Sequence, residues 1–579
     1  MKRHVQTSYY VVGEGLWTFD EAQQPTCMWP VARAEVRMFR FSRLGPQGEL
    51  TDPALNQRLA KAMTTPPQQP NADGADPVPA GFTYVGQFVD HDLTLDATAV
   101  ALGQDVTVDE LVGGRSPALD LDTVYGRGPN HAQDRRFYAA DGIKLKTGTT
   151  AAVDIGPATN PNPPHSSSTN TNRDGFDLPR VGTGPTKAAQ RVALIPDTRN
   201  DENLAVAQTH LAFIHFHNRV VETLGAHGVP GVLLFDRVRG EVVRHYQWML
   251  RTDHLPRIID PDLVDDVFTN GRQFFEVTSS AYGDADASVT WGDTATMPIE
   301  FSVAAYRLGH SMIRGDYQWN RVFNGGPTGA LGIANLFQLF TFSGTSGNLT
   351  PTDPNNSAAL DDPNSGTFLR LPTNWIVDWR RLHDFTSTTL AGPIPADGLG
   401  NVAKRIDTLL VNPLDQLPAG TFAGREQNLA INDIQRNLAF RNLIRANMVR
   451  LASGQQMAYM FGAKVLTADE ILIGDGTGAN LTAPDLLNEA QQEAVVANTP
   501  LWFYILREAE INGGKLGAVG GRIVAEVFHR AMEVSTHSIV REPQWRPTFG
   551  PDRDTFGMAD LLMFAFNNDI AGVNPLGDA

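Results

Sequence analysis

Residues 86–94 read Gly-Gln-Phe-Val-Asp-His-Asp-Leu-Thr. His91 sits between two carboxylates, Asp90 and Asp92, with the amide of Gln87 one helical turn earlier. Flanking carboxylates raise the basicity of an imidazole and can also hold a hard cation. The segment therefore offers a general base, a metal ligand set, or both. Other segments carry chemistry too. Arg199 and Glu202 lie in Asp197-Thr198-Arg199-Asn200-Asp201-Glu202, and an arginine stays protonated at any working pH. His310 closes Tyr306-Arg307-Leu308-Gly309-His310, and Asn442 precedes Arg445 by three residues. Ser116-Pro117-Ala118-Leu119-Asp120-Leu121-Asp122 alternates oxygen donors over a short loop. That pattern suits Ca²⁺, which takes about six to eight hard oxygen ligands, but it is not an EF-hand. Taken singly, each segment has an ordinary reading: a satisfied core histidine, a turn-capping aspartate, an arginine in a salt bridge.

Taken together and in this order, over residues 86–453, the segments resemble the animal haem peroxidases of the peroxidase–cyclooxygenase superfamily. The resemblance implies a haem b held through iron by a neutral proximal histidine, His310, with the other axial face open. It implies that His91 is the distal acid/base and that Arg199 is the fixed cation polarising peroxide. Gln87 lies near that distal pocket in the family motif, placed to orient water or halide. Asn442 would orient His310, and Arg445 would pair with a haem propionate. A rival alignment puts Asn432 and Arg436 in those roles, with a spacing one residue longer. Arg307 stands three residues before the proximal histidine, as in the peroxidases of the family, and is counted with the haem-binding residues. Asp90 and Glu202 occupy the positions of the family's haem ester bonds. Asn203 stands where one member has a methionine, so no sulfonium link can form. The calcium loop of the family maps onto Ser116, the Ala118 carbonyl, Asp120 and Asp122, completed by Asp92.

The implied reaction is oxidation of halides, thiocyanate or small phenols by hydrogen peroxide. A fatty-acid oxygenase is the alternative. It needs a tyrosine where Arg307 stands; Tyr306 is one residue off, about 100° round a helix. A non-catalytic, calcium-bound adhesion protein on the same fold is a third reading.

The elements that must position these groups look mainly α-helical. Leu204, Ala207, Leu211, Ile214, Val221 and Leu224 recur at helical spacing over 202–224. Asp236 is placed to cap a helix running to about Arg251, stopped by His254-Leu255-Pro256. Residues 433–450 and 521–534 read the same way, and strand patterns are few and short. We expect an irregular N-terminal arm over 1–80, then one large helical haem peroxidase domain over 81–579. Surface loops are expected at about 140–190, centred on the low-complexity stretch 157–172, and at 343–366.

Composition narrows the class. The 579 residues carry a formal net charge of -17, against general affinity for nucleic acid or anionic membrane. Cys27 is the single cysteine, so no intrachain disulfide can form. Its Gln-Pro-Thr-Cys-Met-Trp-Pro setting lacks the glycine-rich bulge of a thiolate haem ligand. No long apolar run predicts a membrane span, and the first ten residues lack an apolar signal-peptide core. A cytoplasmic location or a non-classical export route is expected, and the oligomeric state is left open. His210, His215 and His217 share a predicted helix without a zinc-ligand pattern. The Gly513-Gly514 and Gly520-Gly521 pairs do not follow a strand in a nucleotide-binding pattern.

Overall fold

The computed structural model describes residues 39–64, 76–98, 100–153, 169–277, 295–325, 332–349, 362, 364–386, 388, 400–422, 429–430 and 432–578, with the backbone of four strands between 8 and 38. Helices dominate. Buried apolar side chains form one continuous core from Phe41 to Leu576.

Among the described residues before 80, strands and a helix stand where the composition suggests an irregular arm. Strands β1 (Ser8–Val11), β2 (Leu16–Phe19), β3 (Pro25–Cys27) and β4 (Val36–Met38) make an antiparallel sheet of order β3-β2-β1-β4. Helix α1 (Pro53–Thr64) buries Leu55, Leu59 and Met63, which share one face. The Pro- and Gln-rich stretch 66–70 lies outside the described residues.

Helix α2 (Gly81–Leu93) carries His91. Helix α3 (Leu204–Ala226) is capped by Asn203, whose Oδ1 accepts from Val206 N at 2.9 Å. Helix α4 (Gly231–Met249) starts before Asp236, behind Pro230, and does not stop at Pro256. It runs into a π turn, Leu250–His254, and a further helical turn, Leu255–Ile258. Pro256 is tolerated because it falls in the first turn of that last piece, where its missing N–H leaves no orphan.

His310 sits on a broken helix: a π turn (Glu300–Ala304), a 3₁₀ turn (Ala305–Leu308), then the four-residue α5 (Gly309–Met312). The helix expected over 433–450 is split into a 3₁₀ turn, Ile434–Arg436, and α6 (Leu438–Met448). The break falls at Asn437, whose Oδ1 caps Phe440 N at 3.1 Å. Helices α7 (Leu501–Ile511), α8 (Gly520–Glu533) and α9 (Met558–Ala565) complete the core, with α1 packed on α6 and α9 on α3.

Most of 157–172 and the centre of 343–366 lie outside the described residues. Ser343–Leu349 belongs to the interior rather than to a surface loop: Gly344 N and Thr345 N donate to Asp201 Oδ2 and its carbonyl at 3.0 and 3.1 Å.

Candidate active site

Helical spacing aims one face of α2 at a cavity. Thr83, Gly86, Gln87, Asp90, His91 and Thr94 all line it. The opposite face, with Val85, Phe88 and Val89, is buried, and Phe88 stacks on Phe213 with ring centres 4.5 Å apart. The helix ends against two cations. The His91 carbonyl accepts from Arg115 Nε at 3.1 Å and from Arg199 Nη2 at 2.9 Å, and Arg199 Nη1 donates to the Thr94 carbonyl at 2.8 Å. Cations suit carbonyls left open at a helix C-terminus. Asp197 holds both arginines, Arg199 at 2.7 Å and Arg115 still closer. Burial alone would raise the Asp197 carboxyl, but Arg115 and Arg199 hold it well below the usual carboxylate range.

Two contacts fix the His91 ring. Its Nδ1 meets Asn200 Oδ1 at 2.8 Å, and its Nε2 lies 3.9 Å from Glu202 Oε2. Burial, with Arg199 adding to it, lowers the His91 pKa to about 4, so the ring is neutral at neutral pH. Burial raises Glu202 to about 8. Asp90 is engaged on both oxygens, by Arg307 Nη1 and by Thr94 Oγ1, each at 2.9 Å. Gln87 Oε1 accepts from Asn203 Nδ2 at 2.8 Å, so the cap of α3 also pins the glutamine.

His310 lines the same cavity. Its Nδ1 lies 2.9 Å from Asn442 Nδ2. Were Nε2 to ligate a metal, the proton would sit on Nδ1 and need an acceptor, which a half-turn of the amide would supply as Oδ1. Burial and then Arg307 lower the His310 pKa to about 3, keeping it neutral. Asn432 is exposed, and Arg436 donates to the carbonyls of Ala430 and Leu429, away from His310. The geometry therefore groups Asn442, not Asn432, with His310.

The cavity holds about 790 Å³. Its walls mix apolar groups such as Phe41, Val303, Ile313 and Leu417 with the cations Arg307, Arg441 and Arg445. Arg445 exposes its side chain along this wall, and Arg441 lies over the Phe422 ring at 4.1 Å rather than on a carboxylate. A neutral histidine backed by an amide, an apolar slot and cations for carboxylates fit a haem.

Tyr306 departs from the expected geometry. The 3₁₀ turn brings it onto the cavity wall, where its hydroxyl meets His254 Nε2 at 3.0 Å and its ring stacks on Phe301.

Asp92 points away from the cavity, to the loop. It is fully buried and accepts from the amides of Leu121 and Thr123, each at 3.2 Å, and from the Tyr246 hydroxyl at 3.4 Å. Leu121 takes a left-handed backbone, φ 57°, in the turn that offers both amides. Burial and then Asp122 push the Asp92 carboxyl well up. Ser116, Ala118, Asp120 and Asp122 are all buried, and the Ser116 hydroxyl has no hydrogen-bond partner among the described residues. Asp120 Oδ1 accepts from Thr536 N at 3.2 Å, and Arg239 stands 3.8 Å from Asp122. Among the described residues no group of three or more His, Cys, Asp or Glu side chains is arranged to hold a metal by itself.

The sequence does not link Asn200 with Thr123 and His210, which form one network with His91, nor Arg115 and Asp197 with Arg199. Asn200 lay between two singled-out residues, and that was the one available signal. His215 and His217 meet the carbonyls of Gly175 and Ile143.

Residues 97–338 match the sequence family described as animal haem peroxidase. That stretch reads as an animal haem peroxidase domain. Arg199, Glu202 and His310 fall inside the matched stretch of the peroxidase domain; His91 and Asn442 flank it. A peroxidase-like protein of Margaritifera margaritifera is 31% identical over 120 residues, 20% of this chain and 14% of that protein. The chain thus spans only a small part of that relative. The likeness of fold extends beyond that stretch. Peroxidase A of Dictyostelium discoideum superposes with a TM-score of 0.53 at 14% identity, covering 93% of this chain and 94% of its own. The fatty acid alpha-dioxygenase of Oryza sativa gives 0.51 at 11% identity over 98% and 88%. That of Arabidopsis thaliana gives 0.50 at 11% over 94% and 76%. At such identities the likeness is one of fold.

Proposed function

We propose that the protein is a haem peroxidase that spends hydrogen peroxide on small anionic or phenolic donors. One observation carries the reading: two neutral histidines, His91 and His310, line one cavity, each with its Nδ1 set against an asparagine amide. His310 would hold the haem iron, with Asn442 behind it, and Arg307 and Arg445 would face the haem carboxylates. The bound haem supplies the two-electron oxidation of the donor. His91 Nε2 takes the proton from one peroxide oxygen and returns it to the departing oxygen as water forms. Arg199 acts through its charge: most of its N–H groups are spent on Asp197 and the two helix carbonyls, and the cavity feels the remaining field. Gln87, pinned through Oε1, keeps its Nε2 donors for water or halide.

Asp90 and Glu202 are the proposed ester sites. Each bond would exchange a haem methyl C–H for C–O, with peroxide as the two-electron oxidant reduced to two waters. Haem that resists acidified-solvent extraction after peroxide treatment supports this; complete extraction contradicts it. Calcium at Ser116, the Ala118 carbonyl, Asp120, Asp122 and Asp92 is a further part of the reading, favoured by buried like charges and the unsatisfied Ser116 hydroxyl. Metal analysis of holoprotein free of calcium would remove it.

The test is a steady-state screen of holoprotein with peroxide against chloride, bromide, iodide, thiocyanate and a phenol. Iodide, bromide or thiocyanate should outrun chloride, because Asn203 caps a helix and cannot form the sulfonium that raises the haem potential. No turnover with any donor would overturn the reading. A second reading, oxygenation of a fatty acid, is favoured by Tyr306 on the cavity wall. Fatty-acid-dependent oxygen uptake lost in Tyr306→Phe would select it.

A further inference from the structure

The distal imidazole is held by a side chain that peroxide chemistry does not itself require. Asn200 is fully buried on the 3₁₀ turn Thr198–Asp201, directly after Arg199. Its Oδ1 meets His91 Nδ1 at 2.8 Å. Its Nδ2 donates to Thr123 Oγ1 at 2.6 Å and lies 2.9 Å from His210 Nδ1. A primary amide has one acceptor end and one donor end, and here both are used. With the acceptor toward His91, the ring carries its proton on Nδ1 and its lone pair on Nε2. Nε2 is the nitrogen on the cavity side, near Glu202. The reversed amide would drive the proton to Nε2, which could then accept nothing. Thr123 follows the Ser116–Asp122 loop and His210 sits on α3, so the amide is anchored to two separate elements.

We propose that Asn200 is a positioning residue that locks His91 in its Nδ1–H tautomer and so presents Nε2 as the base. The proposal rests on His91 being the distal base. It extends that reading by giving the Asn200 amide, through Thr123 and His210, control of how fast peroxide is accepted.

The experiment is rapid mixing of ferric holoprotein with peroxide and, separately, with cyanide, whose acid form also gives up a proton on binding but has no O–O bond to split. Asn200→Leu, of similar size without an acceptor, should slow both reactions by about a hundredfold, while Asn200→Asp, which keeps the acceptor, stays within about threefold of wild type. Thr123→Val should fall between, and the Soret band should be unchanged in all three. Asn200→Leu at wild-type rates overturns the proposal, as does Asn200→Asp slowed as far as Asn200→Leu with its haem intact. If Asn200→Leu does not retain haem, Thr123→Val decides: slowed rates support the proposal and wild-type rates overturn it. His91→Ala at wild-type rates overturns both this proposal and the distal-base reading. A slow His91→Ala beside a fast Asn200→Leu overturns the proposal alone.

Discussion

The two histidine sides of the cavity are built differently. His91 sits near the end of a thirteen-residue helix, its carbonyl clamped by Arg115 and Arg199 and its ring held by Asn200. His310 sits on a four-residue helix after a π turn and a 3₁₀ turn, with one amide contact at its ring. Arg441 and Arg445, which form no ion pair with a carboxylate among the described residues, gather on the His310 side. The difference teaches which groups need a cofactor. On the proposed reading, the protein alone preorganises His91, whereas the His310 side would be completed by a bound anion-bearing ring.

Four changes break or sharpen this contrast. The largest effect is expected from His310→Ala: most of the haem is lost, more than about tenfold by the Soret-to-protein ratio, while the far-ultraviolet circular dichroism stays helical. Retained haem with an unchanged spectrum would move the ligand elsewhere. Asp197→Ala removes the carboxylate between two buried arginines and should lower unfolding stability by about 3 kcal/mol, measured by denaturant titration. An unchanged midpoint would mean the clamp adds no rigidity. A third change is in pH. His91 is lowered to about 4, so its base form persists below the ordinary histidine range. The peroxide reaction should hold its rate down to about pH 4 and fall about tenfold per unit below that; an acid limb near the ordinary histidine value of 6.5 would show an unshifted base. The smallest effect is expected from Arg445→Ala, about tenfold weaker haem binding, or about 1.4 kcal/mol, by titration of haem-free protein. An unchanged affinity would free Arg445 from any part in the site.

Much of this was legible in the sequence where contacts are local. Gln87, Asp90 and His91 fall on one helical face by spacing alone, and Asn442 and Arg445 share another. The mainly helical architecture followed from the apolar period of segments such as 202–224. What escaped was set by distance along the chain or by irregular turns. Asn200 meets His91 across 109 residues and Thr123 across 77. Tyr306 was read on a regular helix, but the π and 3₁₀ turns change the angle per residue and swing it into the cavity. Helix α1 was hidden in a stretch whose prolines and glutamines dominated its composition.

The central claim is that His91 is a neutral base facing a haem held by His310. It is tested most directly by stopped-flow mixing of ferric wild-type and His91→Ala holoproteins with peroxide, following the Soret band. The account predicts matching ferric spectra before mixing and a reaction at least about a hundredfold slower in the variant. Equal rates with equal haem content would contradict it.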